Sequence, residues 1–190
     1  WQRCIDTVSV EVCIREGAER LAAASVEEPR REARLLLAHA MGVTSEKLIA
    51  KVEQAVHNAS RYFELVEQRV SRVPLSRIIG RREFWSLEFC LTDDTFDPRP
   101  DSETVVEAAL DFIADRDATV HIADLGTGTG CLLLSLLSEL RNASGVGVDR
   151  RLATVEAAVL NAANLGLTSR TTFLVGNWVA GSVSYDSENN

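Results

Sequence analysis

The sequence predicts a helical bundle followed by an α/β domain, and three observations carry that reading. Apolar residues recur at intervals of three and four through the first seventy or so residues, the period of helices with one buried face. After Val120 the pattern turns to short apolar runs separated by helical stretches, as parallel strands with crossover helices require. The first of those runs, Val120-His121-Ile122-Ala123-Asp124, leads through Gly126-Thr127-Gly128-Thr129-Gly130 into Cys131-Leu132-Leu133-Leu134. That reads as strand, tight loop and helix.

Each element has its own signal. Ser9 to Ala24 carries Val10, Cys13, Ile14, Ala18, Leu21 and Ala22 on one helical face. Glu27-Glu28-Pro29 opens a second helix with acids and a proline in its first turn, and Gly42 stops it. Ser45 can cap a short helix over 46–50. Asn58 or Ser60 can cap a longer one through Val70, with Phe63, Val66 and Val70 on its stripe, until Pro74 ends it. Phe84, Leu87, Phe89 and Leu91 then predict a strand pair turning near Trp85-Ser86. Pro98 and Pro100 hold the next segment extended, and Asp101 or Ser102 can cap a helix over 103–114. The α/β part reads as strand 120–124, helix 131–140, strand 145–149, helix 153–164 and strand 171–175, with Tyr185-Asp186 like the start of a fourth strand. The expected domains are therefore 1–72, helical; 73–97, a hairpin-bearing linker; and 98–190, α/β and incomplete at its C-terminal end.

Composition narrows the class. The net charge of −8 splits into +1 through Cys90 and −9 from Leu91 onward. An acidic second half disfavours direct nucleic-acid binding there, and the run Arg69, Arg72, Arg77, Arg81 and Arg82 reads as a solvated helix face, with contact to an RNA-associated or acidic protein partner as the alternative. No apolar run approaches the ~20 residues of a membrane span, so no membrane partner is expected. Asp6 and Glu11 near the start do not form a secretion signal, and a cytoplasmic location is expected. Cys4, Cys13, Cys90 and Cys131 contain no Cys-x-x-Cys pair and His39, His57 and His121 lack ligand spacing, so no metal site is expected. His121, inside an apolar strand, reads as a satisfied core histidine.

The chemistry sits in the glycine loop. Glycines let the backbone turn sharply and let a ligand approach main-chain N–H groups without an intervening Cβ. Asp149 ends the next apolar run, Val146-Gly147-Val148, where a mononucleotide-binding βαβ unit places the carboxylate for ribose hydroxyls. A dinucleotide fingerprint would need glycine at position 131, which is Cys131. The Gly-x-Gly-x-Gly pattern with Asp124 ahead of it resembles the first motif of class I S-adenosylmethionine-dependent methyltransferases. That resemblance places Asp124 at the positively charged methionine end.

A second set of residues is more discriminating. Ile78-Ile79-Gly80-Arg81-Arg82-Glu83-Phe84-Trp85, followed by Pro98-Arg99-Pro100-Asp101-Ser102-Glu103, resembles the interdomain region of the HemK-type methyltransferases, which methylate the side-chain amide of a glutamine in peptide chain release factors. The resemblance implies a helical substrate-recognition domain joined to a Rossmann-like class I methyltransferase domain, with S-adenosylmethionine as cofactor and a release factor as protein partner. It implies that Gly126, Thr127, Gly128, Thr129 and Gly130 hold the cofactor through backbone N–H groups, that Asp149 accepts both ribose hydroxyls, and that Asn177 and Trp178 border the adenine. Asn177 stands where the family more often has Asp. For Arg99 and Glu103 a structural helix-start turn competes with direct ligand contact.

The family's catalytic signature, Asn-Pro-Pro-Tyr, is absent. The chain has four prolines, Pro29, Pro74, Pro98 and Pro100, and no Pro-Pro. No catalytic residue is therefore assigned, and the chain, which begins at Trp1, reads as a piece of a longer protein that is by itself inactive. Two other expectations remain open: a non-catalytic module that binds S-adenosylmethionine or a partner, and an amino-group methyltransferase of a neighbouring family.

Overall fold

The computed structural model describes residues 8–49, 55–56, 59–177 and 181–184, which fall into two units divided in sequence between Ile79 and Gly80.

The first unit holds helices α1 (Val10–Ala23), α2 (Pro29–Met41), α3 (Ser45–Ile49), α4 (Ala59–Val70) and α5 (Leu75–Ile79). The Ser9 hydroxyl caps α1 by accepting from the Val12 N–H at 3.4 Å. Gly42, at φ 63°, ends α2 in the left-handed conformation that leaves its own N–H bonded to the His39 carbonyl. At α3 the hydroxyl that accepts from the first turn is Thr44, bonded to the Lys47 N–H, one residue ahead of the expected cap Ser45. Two short strands, β1 (Val8–Ser9) and β2 (Ala55–Val56), pair antiparallel, an element too short for hydrophobic periodicity to register.

The buried face of α4 is rotated from the expected stripe: Tyr62, Leu65 and Val66 are buried, while Phe63 and Val70 are half-buried. The tyrosine decides this. Its ring can be fully buried only where the hydroxyl finds an acceptor, and it donates to the Cys13 carbonyl of α1 at 3.0 Å. Arg69 grips Glu32 with two nitrogens, at 2.5 and 3.3 Å, in a partly buried pair that ties α4 to α2.

The second unit opens with an antiparallel hairpin, β3 (Arg81–Phe84) and β4 (Leu87–Cys90), turning at Trp85-Ser86 as expected. Both turn residues have positive φ, 53° and 57°, the backbone of a two-residue hairpin turn that usually carries Asn-Gly. Glu103 holds the strained turn by accepting from the Trp85 N–H at 2.8 Å, and Glu139 accepts from the indole at 2.9 Å. Phe84 and Phe89 are buried in the same core as Leu110, Leu133 and Leu137. The segment 73–97 is thus divided: α5 lies in the helical unit and the hairpin in the α/β unit.

The remaining elements are α6 (Glu103–Ile113), β5 (His121–Leu125), α7 (Cys131–Glu139), β6 (Ser144–Asp149), α8 (Leu152–Asn164), β7 (Thr171–Asn177) and β8 (Gly181–Ser184). Ser102 makes no side-chain cap at α6; a tight turn at Pro100–Ser102 leads in, and the Thr104 hydroxyl bonds the Asp101 carbonyl. The sheet order is β5-β6-β7-β8, with the first three strands parallel and β8 antiparallel on the outer side of β7. Three parallel strands in succession with helical crossovers form one half of a doubly wound sheet, which puts ligands at the C-terminal strand ends. β8 was not expected, and Tyr185-Asp186 lies outside the described residues. His121 corrects its expected core role: it is exposed on β5, and its ring Nδ1 lies 2.6 Å from the hydroxyl of its cross-strand partner Ser144.

Candidate ligand-binding site

β5 and β6 both end at one cavity of about 860 Å³. Loop residues 126–129 form one side, Asp149 with the two arginines after it a second, Phe96–Arg99 a third, and Asn177 at the end of β7 a fourth. The glycines are required by the turn. Gly126, Gly128 and Gly130 sit at φ 87°, 59° and 79°, a region that costs a side-chain-bearing residue roughly 1–2 kcal/mol each.

The backbone hydrogen bonds of the loop narrow what it can offer. The Gly126 and Thr127 N–H groups both donate to the Val148 carbonyl, at 2.8 and 3.0 Å, and Gly130 N–H donates to the Thr127 carbonyl at 2.8 Å. Gly128 N–H donates to Asp149 Oδ2 at 3.2 Å. Of the five N–H groups expected to face a ligand, four are thus already engaged; the loop gives shape and room more than a row of free donors.

Asp149 keeps capacity. Its two oxygens accept from Gly128 N–H and from Arg151 N–H, each at 3.2 Å. A carboxylate has about four acceptor positions, so two remain for a vicinal diol. Arg151 is turned away to the Asp94 side chain and carbonyl, while Arg99 and Arg150 have no acidic partner among the described residues.

Asp124 plays a different part. It is absent from the cavity wall, and its Oδ2 accepts from the Thr127 hydroxyl at 2.8 Å. Burial pushes its carboxyl above the ordinary range, and the bonds from Thr127 and the Leu133 N–H pull the other way. Through the Thr127 hydroxyl it braces the glycine loop. Cys131 lines the cavity, and burial raises its thiol as well, so it is not poised as a thiolate. Among the described residues no group of His, Cys, Asp and Glu could hold a metal ion. Trp178 lies outside the described residues.

Two supporting residues were missed by the sequence reading. Asn161 on α8 is fully buried; its amide nitrogen donates to the Cys90 and Thr129 carbonyls at 3.1 and 3.0 Å, and its oxygen accepts from Cys90 N–H at 2.8 Å. One side chain thus ties the hairpin to the glycine loop. Arg170 donates to the carbonyls of Leu137, Leu140, Arg141 and Ala143, closing the C-terminal end of α7. The available signal for Asn161 was an amide on the buried stripe of an otherwise apolar helix.

Residues 13–80 match the family model of the PrmC N-terminal domain. Over 86–90% of its length the chain aligns with curated proteins bearing one name. That name is release factor glutamine methyltransferase, and the chain is similar to the proteins that bear it. The protein of that name from Bradyrhizobium diazoefficiens is 43% identical over 176 residues, 90% of this chain and 59% of the relative. Another from Rhodospirillum rubrum is 43% identical over 166 residues, 86% of this chain and 50% of the relative. The chain spans between half and three-fifths of the length of these release factor glutamine methyltransferases. Among solved structures, an S-adenosylmethionine-dependent methyltransferase from Geobacter sulfurreducens in complex with S-adenosyl-L-homocysteine aligns at 29% identity over 41% of this chain and 29% of its own, with a TM-score of 0.35. A superposition that partial adds nothing to the topology already described.

Proposed function

We propose that this chain is the substrate-recognition and cofactor-binding part of a protein that transfers a methyl group from S-adenosylmethionine to a glutamine side-chain amide of a peptide chain release factor. Asp149 carries the reading. It ends β6 beside a glycine loop, faces a cavity of about 860 Å³, and retains two acceptor positions after its bonds to Gly128 and Arg151. That donor and acceptor set fits an adenosine ribose. Asn177, on the same cavity wall, fits the adenine rim, where its amide oxygen can accept from an exocyclic amine. Trp178 is proposed beside it on the family resemblance alone.

When bound, S-adenosylmethionine would supply an electrophilic methyl group. The chain's own residues account for holding and orienting it: Asp149 the ribose, the glycine loop the close approach, and Asp124 the loop's shape. Asn-Pro-Pro-Tyr does not occur in these 190 residues, so orientation of the glutamine amide is assigned to no residue here. The helical unit is proposed to hold the release factor, in line with its match to the PrmC N-terminal domain. Release factors act on cytoplasmic ribosomes, so a cytoplasmic location follows from the same reading.

Calorimetric titration with S-adenosylhomocysteine tests it. Asp149→Ala removes two charge-assisted hydrogen bonds, each worth roughly 1.5–3 kcal/mol, and should weaken binding at least ~10-fold. Equal affinities in the two proteins would remove Asp149 from the site.

A further inference from the structure

The cavity wall made by Phe96–Arg99 has no role in the reading above, yet it carries the feature most unusual for a cavity that holds a positively charged ligand. Arg99 contributes to that wall and has no acidic partner among the described residues. Its backbone is locked. Pro98 and Pro100 flank it, it sits at φ −92° and ψ 138°, and its carbonyl accepts from Ser102 N–H at 2.9 Å. The start of α6 just beyond is pinned by Glu103 to the hairpin turn at Trp85. A rigid backbone therefore fixes Arg99, exposed and without an acidic partner among the described residues, in the cavity wall.

S-adenosylmethionine has one group that calls for such a cation, the α-carboxylate at its amino-acid end. Asp149 and Asn177, at the strand ends, are already assigned to the ribose and adenine. Of the three arginines on the wall, Arg151 is paired with Asp94 and Arg150 directly follows Asp149, at the ribose end. Arg99 stands on a separate segment. We propose that Arg99 is the specificity-determining residue for the ligand's free carboxylate, pairing with it through the guanidinium fork. A bidentate guanidinium–carboxylate pair is both strong and geometrically selective. The proposal rests on the cofactor reading above and assigns the end of the ligand that reading leaves unheld.

The test compares two ligands that differ only in that carboxylate. S-adenosylmethionine and its decarboxylated form are titrated into the chain, its Arg99→Ala and Arg99→Lys variants, and Arg150→Ala. The unsubstituted chain should prefer the carboxylated ligand by roughly 10- to 100-fold, the range of one or two charge-assisted bonds. Arg99→Ala should abolish that preference while binding the decarboxylated ligand within about 2-fold of the unsubstituted chain, and Arg99→Lys should restore part of it. Arg150→Ala should keep the preference. A preference that survives Arg99→Ala, or equal weakening of both ligands, overturns the assignment. Collapse of the preference in Arg150→Ala overturns it too. If the unsubstituted chain binds neither adenosyl ligand, the cofactor reading itself falls and takes this proposal with it; binding of both without discrimination sinks only the role of Arg99.

Discussion

The helical unit and the α/β unit solve the same burial problem by different means. In the first, apolar stripes on α1, α2 and α4 close on one another, and no large apolar side chain among its described residues is left exposed. In the second, Phe96, Phe112, Leu125 and Leu160 all lie open, Phe112 at 91% relative exposure. Helices satisfy their backbone hydrogen bonds locally, so a stripe is enough to place them. A parallel sheet depends on neighbours and on loops at the strand ends, and those loops must be held by something. Here polar side chains hold them: Asn161 spans hairpin and glycine loop, and Arg170 gathers four carbonyls behind α7. One unit is shaped by periodicity, the other by a few long-range polar clamps.

Removing a clamp should have the largest effect. Asn161→Leu strands three backbone groups, the partly buried Cys90 N–H and carbonyl and the buried Thr129 carbonyl. At roughly 1–3 kcal/mol for each orphaned group, partly relieved by relaxation, a loss of about 4 kcal/mol is expected. Hydrogen exchange resolved by peptide should show protection collapsing across residues 121–177 while α1, α2 and α4 keep theirs. Equal loss in both units would break the contrast between them.

The helical unit has one weak point of its own, and it is steric. A Cβ on Gly17 would sit 1.8 Å from the Tyr62 hydroxyl, inside a fully buried ring contact. Gly17→Ala must push that hydroxyl off the Cys13 carbonyl. Overpacking at about 1–3 kcal/mol and the lost hydrogen bond at about 1 outweigh a gain near 1 in helix propensity, for a net loss of about 2 kcal/mol. Adding Tyr62→Phe deletes the clashing oxygen and should recover part of the stability in thermal unfolding. No recovery would mean that the strain lies elsewhere in α1.

The same contrast explains what could be read in the sequence. Helices α1 and α2, the hairpin turn, β5 to β7 and the glycine loop all announce themselves through period, caps or glycines, and their observed limits differ from expectation by a residue or two. The face of α4 did not, because burial there follows a hydroxyl finding a carbonyl 49 residues away. Asn161 and Arg170 did not, because their partners lie 27 to 71 residues off and are backbone atoms without a residue-type signature. His121 misled in the opposite sense, since a strand's apolar run does not show which of its faces a helix covers. At the site, glycines and Asp149 were legible, while the internal use of the loop's N–H groups was not.

The smallest effect expected is a pH dependence confined to the α/β unit. Burial holds the Asp124 carboxyl above its ordinary value in the folded chain, so its ionised form at neutral pH is a cost to the fold. The sign follows directly. A raised folded value means stability that is fully present below the unfolded carboxylate value and is lost as pH rises through the folded one. Asp124→Asn removes the charge but keeps an oxygen for the Thr127 hydroxyl. The variant should therefore be slightly more stable than the parent at neutral pH. That advantage should shrink as pH falls through the raised folded value toward the ordinary carboxylate range, as the parent's own Asp124 takes up its proton. Urea unfolding at several pH values, followed at peptides from residues 121–177, would measure the difference. A variant less stable than the parent at neutral pH would show that the ionised carboxylate, through the Leu133 N–H and the start of α7, is itself a clamp on the loop, and would add Asp124 to Asn161 and Arg170.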